Sequence, residues 1–127
     1  MKNILAVALL FHALVGIPNA SAQSLTGPQK NAVRSANSYL SISGFSRDGL
    51  IEQLSSPYGD DYNKDDATAA VDSLSVDWKE EAVKSARQYL GIMGFSCNGL
   101  IEQLSANTGD KYTKSQATYG AEQAGAC

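Results

Sequence analysis

The sequence predicts an all-α fold, built as a tandem repeat of two three-helix, helix-turn-helix-like units. Residues 31–74 and 81–124 align without a gap at an offset of 50 positions, and about half of the aligned residues are identical. In both copies apolar residues recur every three or four positions, which is the period of one helix face. Capping residues and glycines divide each copy into three short segments of this kind. No segment of useful length has the alternation of a β-strand.

The first 22 residues have the features of a signal peptide. Lys2 supplies the positive end, residues 4–17 are largely apolar, and Ala20-Ser21-Ala22 matches the small-residue cleavage pattern. The apolar stretch is short for a membrane span. We therefore expect residues 1–22 to be removed and the mature chain to be exported and soluble.

Without this segment the chain is acidic and contains no histidine, since the single histidine is His12. This excludes catalytic triads that use histidine and most zinc sites. Nine basic residues face thirteen acidic ones, which gives a net charge of −4. The carboxylates lie in turns and on solvated helix faces. We therefore expect no enzymatic activity, no cofactor, no metal and no stable membrane anchor.

The two units are predicted to span residues 23–75 and 76–127, and each opens with a capped helix. Thr26 and Gln29 have the spacing of a capping box, and Asp77 is placed to cap the corresponding helix of the second unit. The predicted buried faces of these two helices consist of Ala32, Ala36, Tyr39 and Leu40, and of Ala82, Ala86, Tyr89 and Leu90.

A short second helix follows in each unit. Gly44 and Gly94 are expected to end the first helices in left-handed caps. Ser46 and Ser96 are placed to cap the second helices. The predicted core residues of the second helices are Leu50, Ile51 and Leu54, and Leu100, Ile101 and Leu104.

The third helices are predicted to begin at Asn63 and Thr113, after turns that contain glycine. The apolar face is larger in the first unit, with Ala67, Ala70, Val71 and Leu74, than in the second, with Ala117, Gly120, Ala121 and Ala124. We therefore expect the last helix to be weakly held and prone to fraying. Only Ser75 and Val76 separate Leu74 from the Asp77 cap, which favours a stiff, nearly continuous helical connection between the units.

Cys97 and Cys127 are the two cysteines of the chain. An even number of cysteines in an exported chain favours a disulfide, although two free thiols remain the alternative. The bond would close a loop of about 30 residues and contribute on the order of 3 kcal/mol in the chain-entropy model.

The repeated motif consists of Gly44-Phe45-Ser46 followed by residues 49–54, of the same pattern at 94–96 and 99–104, and of Asp77-Trp78 at the junction. This motif resembles the Ltp family of host cell surface-exposed lipoproteins. The resemblance implies tandem helix-turn-helix units that bind protein rather than DNA. It also implies a phage or prophage product that excludes superinfecting phage by blocking DNA injection, with the tape-measure protein of the incoming phage as partner.

One departure from the family pattern concerns location. Members typically carry a lipobox cysteine just after the signal, whereas this chain has Ala22-Gln23 there. We therefore expect a released product that is periplasmic in a Gram-negative host, or secreted where no outer membrane exists. A periplasmic inhibitor or binding module for an envelope enzyme, such as a lysozyme, is the alternative function.

The best candidate for partner contact is an acidic segment that includes two tyrosines, since tyrosine is enriched at interfaces and clustered acids attract basic partners. It consists of Tyr58, Asp60, Asp61, Tyr62, Asp65 and Asp66. An ordinary solvated turn is the alternative interpretation.

Two other functions of this segment are disfavoured by the sequence. Asp61, Asn63, Asp65 and Asp72 have the spacing of calcium ligands in an EF-hand loop, but Asp66 stands where the loop needs glycine. Nucleic acid is disfavoured because the third helix, which would read DNA, is itself acidic.

Overall fold

The structure is a computed structural model that describes residues 24–127, so the predicted signal peptide lies outside the described residues. Within this range the chain forms six helices and no strand, which confirms the predicted all-α fold. The helices are α1 Gly27–Ile42, α2 Arg47–Ser55, α3 Lys64–Asp72, α4 Trp78–Ile92, α5 Cys97–Ser105 and α6 Lys114–Gln123.

Side-chain caps begin these helices where the sequence predicts. The hydroxyl of Thr26 accepts the backbone N–H of Gln29, whose side chain accepts the backbone N–H of Thr26. Thr113 and Gln116 form the same capping box at α6. The remaining helices are capped by Ser46, Asn63, Asp77 and Ser96.

Each unit has its own hydrophobic core, in which the short second helix is enclosed by the other two. The side chains of Leu50 and Leu54, and of Leu100 and Leu104, are completely buried. At the edge of each core a phenylalanine packs edge-to-face on a tyrosine of the first helix, with ring centroids 5.6 Å apart in both units. These pairs are Tyr39 with Phe45 and Tyr89 with Phe95.

Tyr112 anchors the α5–α6 turn in the second core. Its side chain is buried, and its hydroxyl lies 2.7 Å from the Oγ of Ser85 on α4. Burial raises the pKa of Tyr112 well above its ordinary value. Tyr62 makes the equivalent contact with Ser35 at 3.1 Å, but it is only half-buried.

The small residues of α6 allow it to pack closely on α4. A Cβ added at Gly120 would lie 2.7 Å from the backbone carbonyl oxygen of Ala82. The equivalent residue in the first unit is Ala70, so the second unit brings its first and third helices nearer at this point. The low apolar content of α6, which suggested a weakly held helix, therefore has a packing reason.

The connection between the units is not a continuous helix, and that expectation is wrong. Residues 73–77 are non-helical because Asp77 has extended backbone and its carboxylate accepts the backbone N–H groups of Lys79 and Glu80. Leu74 and Trp78, on either side of this cap, both pack on the core of the first unit. The packing of Leu74 and Trp78, rather than a continuous helix, therefore holds the connection between the units in place.

The expected left-handed caps at Gly44 and Gly94 are also wrong. Within residues 24–127, Gly125 is the glycine with positive φ, and the residues that end α1 and α4 have extended backbone. Gly44 is required for another reason, because a Cβ there would lie 2.7 Å from the carbonyl oxygen of Glu81. The α1–α2 turn thus lies directly against α4 of the second unit.

Side chains of α4 hydrogen-bond the backbone of this turn. The carboxylate of Glu81 accepts the N–H of Phe45 at 3.2 Å, and the amide oxygen of Gln88 accepts the N–H of Gly44 at 3.2 Å. The Lys84 ammonium donates to the carbonyl of Leu40. Both donors and acceptors at the end of α1 are therefore satisfied by the other unit.

The α5–α6 turn completes the contact between the units. The Ser46 hydroxyl donates to the carbonyl oxygen of Asp110, and a Cβ at Gly49 would lie 3.1 Å from that oxygen. The Lys111 ammonium pairs with the carboxylate of Glu52. The interface is consequently polar and close-fitting, with glycines where the two backbones approach.

Substituting Gly120→Ala should lower the free energy of unfolding by about 1–3 kcal/mol, because the new methyl group must displace the α4 backbone. Gly91→Ala is the matched control, since a Cβ there meets nothing within 4 Å. It should be neutral or stabilise the protein by up to about 1 kcal/mol through helix propensity. Urea denaturation of both variants measures the difference, and equal stabilities would contradict the close helix approach.

Candidate partner-binding surface

The predicted contact segment forms the turn between α2 and α3 and the first turn of α3. The backbone N–H of Asp60 donates to the carbonyl of Gln53 at 3.1 Å, and that of Tyr62 donates to the carbonyl of Leu54 at 2.8 Å. Asp61 lies between them with a φ of 55°, in the left-handed region. The turn is therefore held by backbone hydrogen bonds, and its side chains extend from a fixed frame.

The structure divides the six predicted contact residues into two groups. Tyr62 and Asp66 are partly buried and have internal partners, Ser35 for the tyrosine and the amide of Gln29 for the aspartate. They hold the turn against α1. The other four are exposed, and these are Tyr58, Asp60, Asp61 and Asp65. We call these four residues the acidic surface.

Asp60 is the most constrained member of the acidic surface. It accepts a hydrogen bond of 2.6 Å from the Tyr39 hydroxyl, which also lies 3.3 Å from the side-chain nitrogen of Gln53. The hydrogen bond to Asp60 and partial burial raise the pKa of Tyr39. The tyrosine therefore stays a donor at neutral pH and orients an exposed carboxylate. Tyr58, on the same turn, is fully exposed.

The equivalent turn of the second unit has the same backbone but different surroundings. Lys111 takes the place of Asp61, with a φ of 61°, and its charge is used in the pair with Glu52. Asp110 is partly buried, and burial raises the pKa of its carboxyl group. The acidic surface is therefore a property of the first unit alone.

A second difference between the units lies at the start of the middle helix. In the first unit Arg47 binds Asp72 through two hydrogen bonds of 2.7 and 2.8 Å, which joins the start of α2 to the end of α3. In the second unit the disulfide between Cys97 and Cys127 joins the corresponding places, with Cα atoms 4.7 Å apart. The predicted disulfide is thus present, while the ion pair was missed.

Comparison of the two copies could have revealed this ion pair. Cys97 replaces Arg47 in the alignment, and once the cysteine is assigned to a bond between two helices, the arginine is expected to make a contact there as well. Its partner is Asp72, whose spacing in the sequence also fits a calcium ligand.

The calcium arrangement does not form. Asp72 is bound to Arg47, and the side chain of Asn63 caps α3 by accepting the N–H of Asp65 at 2.9 Å. Among residues 24–127 no three histidine, cysteine, aspartate or glutamate side chains are grouped to hold a metal ion. Nor does any helix of this range have the length and hydrophobicity to cross a bilayer.

The described residues thus form an all-helical tandem-repeat protein. Its candidate binding surface is the exposed acidic surface on the α2–α3 turn of the first unit. Residues 28–74 and 77–123 each match the family described as host cell surface-exposed lipoprotein, Ltp. The protein belongs to this family, which confirms the resemblance in its sequence. The family's description agrees with export. Both cysteines of the chain are joined in the disulfide.

A solved structure supports the same assignment. It is described as Ltp, a superinfection exclusion protein from the Streptococcus thermophilus temperate phage TP-J34. The two chains are 28% identical, and their TM-score is 0.69 over 78% of this chain and 97% of the other. A search of curated proteins gave no match.

Replacing both cysteines with serine should lower the free energy of unfolding by about 3–4 kcal/mol, because the unfolded chain regains the entropy of the closed loop. Thermal unfolding of the oxidised protein, the reduced protein and the Cys97→Ser/Cys127→Ser variant measures the effect. The reduced protein and the variant should agree. Identical midpoints for oxidised and reduced protein would show that the bond does not stabilise the fold.

Asp72→Asn should destabilise the protein by less than about 1 kcal/mol near neutral pH, because the ion pair is largely exposed. Arg47 lowers the pKa of Asp72 in the folded state. The stabilisation is therefore complete above the ordinary aspartate pKa of about 3.9 and is lost as the pH falls through the lower folded value.

The stabilities of wild type and Asp72→Asn should accordingly converge at low pH. Urea midpoints measured across the acid range test this. A difference that stays constant down to the lowest pH would show that the ionised pair contributes nothing.

Proposed function

We propose that this protein is an exported, phage- or prophage-encoded superinfection exclusion protein that blocks DNA injection by an incoming phage through protein–protein contact. The observation that carries the proposal is its similarity, across both units, to a chain described as the superinfection exclusion protein of a temperate phage. Membership of a family described as cell surface-exposed supports the location that such a function needs, outside the cytoplasm.

The chemistry of the described residues supports contact rather than catalysis. The surface grooves within residues 24–127 are open. One of about 420 Å³ lies at the junction of the two units, with Tyr58 in its lining. The exposed carboxylates beside it would attract a basic segment of the partner and accelerate association. The target we propose is the tape-measure protein of the incoming phage, following the family resemblance.

The disulfide supports a location in an oxidising compartment, where such bonds form and persist. With export by the predicted signal peptide, the periplasm of a Gram-negative host meets this condition. It would also retain the released product that the sequence predicts. In a host without an outer membrane the same product would be secreted.

Expression in a phage-sensitive host tests the function in three separate measurements: phage adsorption, appearance of phage DNA in the cytoplasm, and time of lysis. The proposal requires normal adsorption with DNA entry reduced. Normal entry followed by delayed lysis would contradict it and would indicate an inhibitor of an envelope enzyme such as a lysozyme.

Asp61→Asn should weaken binding to the purified tape-measure protein about three- to tenfold, mainly by slowing association, since charges at the rim of an interface act chiefly on that rate. Asparagine tolerates the left-handed backbone at this position, so the fold should not change. The difference from wild type should shrink as salt is added.

Glu122→Gln is the matched control, because it removes one exposed carboxylate from the other unit. It should bind as wild type does. Equal affinities for Asp61→Asn, Glu122→Gln and wild type at low salt would rule out the acidic surface as the contact.

A further inference from the structure

The contact between the two units joins different surfaces of the repeat. The first unit contributes the end of α1 and the α1–α2 turn, which we call the turn face. The second unit contributes α4 and the α5–α6 turn, which we call the helix face. Because each unit is a copy of the other, a head-to-tail contact of this kind leaves one turn face and one helix face vacant. The vacant turn face belongs to the second unit, and the vacant helix face belongs to the first.

We propose that the vacant turn face of the second unit is a binding site for a helix of a partner protein. It consists of Met93, Gly94, Phe95, Ser96, Gly99 and Glu102. The partner helix would present to it what α4 and Lys111 together present to the first unit. That means carboxylate and amide acceptors for the backbone N–H groups of the turn, and a basic side chain for Glu102.

A glycine retained at position 94 supports this site. In the first unit Gly44 and Gly49 lie so close to the second unit that a Cβ would meet backbone atoms at 2.7 and 3.1 Å. In the second unit Gly94 has nothing within 4 Å, and Gly99 meets only the Oγ of its own cap, Ser96. Gly99 leaves room for the Ser96 hydroxyl that caps α5, so its own unit needs it. Of the two, Gly94 is the glycine for which the described residues show no such contact.

Exposure gives an independent indication of the same surface. Ser46, which donates to Asp110 in the first turn face, is only 2% exposed, whereas Ser96 is exposed. Met93 takes the place of Ser43 and is 58% exposed. The vacant turn face is therefore more apolar than its counterpart, and a helix seated on it would remove this methionine from water.

Charge excludes a second copy of this chain as the occupant. In the existing contact Glu52 pairs with Lys111. In a head-to-tail dimer Glu102 would instead meet Asp61, which is a repulsive pair. The acceptors would change as well, because Asn31 and Ser38 stand where α4 has Glu81 and Gln88. Both side chains are shorter and already bond to Arg34 within α1. The site therefore fits a different protein, whose helix carries acidic, amide and basic groups.

Grafting the occupied helix face onto the first unit tests this inference without any phage. The substitutions Asn31→Glu, Ser38→Gln and Asp61→Lys make the vacant helix face match the one that α4 and Lys111 form. If the vacant turn face binds such a helix, the grafted chain should assemble head to tail. Its average mass in analytical ultracentrifugation should then rise with protein concentration. The native contact forms within one chain, where the effective concentration is about millimolar, so the measurements should extend to that range. Wild type should stay monomeric over the same range.

Gly94→Ala in the grafted chain should abolish the assembly, since its methyl group would strike the incoming helix as a Cβ at Gly44 would strike α4. Gly91→Ala, also without neighbours, should leave it intact. Both variants should unfold at the wild-type denaturant concentration or above it. A grafted chain that stays monomeric, or assembly that survives Gly94→Ala, would overturn the site, and assembly of wild type would overturn the exclusion of a second copy.

Discussion

The close approach of the α1–α2 turn to α4 is the contact on which the arrangement of the two units depends. At Gly44 the backbones come so near that only a hydrogen atom fits as a side chain, and Glu81 and Gln88 then reach the N–H groups of the turn. A polar contact of this kind is specific because the half-buried N–H groups of Gly44 and Phe45 need acceptors placed at these positions. It covers the α5–α6 turn and leaves the α2–α3 turn open, so it decides which turn can meet another protein.

The same contact explains why two similar units have different chemistry. Asp61 and Lys111 occupy the same left-handed backbone position. Lys111 forms an ion pair with Glu52 of the first unit, whereas Asp61 faces solvent. Lys111 therefore strengthens the contact between the units, and Asp61 supplies exposed charge at the equivalent position of the first unit. This difference between the units matters for the superinfection exclusion that we propose, because a partner protein would meet one acidic turn rather than two.

The two units hold the second and third helices together by different bonds. The start of the middle helix is joined to the end of the third helix by Arg47 and Asp72 in one unit and by Cys97 and Cys127 in the other. The ion pair is screened by salt and weakened by acid, whereas the disulfide depends only on the redox state. The covalent link joins Cys127, which follows α6, to Cys97 at the start of α5.

The sequence by itself determined the repeat, the six helices with most of their caps, the leucine cores and the disulfide. The helices and their caps follow from local chemistry, because a Ser or Thr cap and a helical apolar period act within a few residues. The disulfide follows from the number of cysteines, since two cysteines allow one pairing. Only the tertiary structure decided why Gly44 is glycine, why the connection at residues 73–77 is not helical, and which acidic residues are free. Tyr62 and Asp66 were placed in the candidate surface from their neighbours in sequence, yet they bind α1. Their roles depend on distances between segments far apart in the chain, and those distances are set by packing rather than by local sequence.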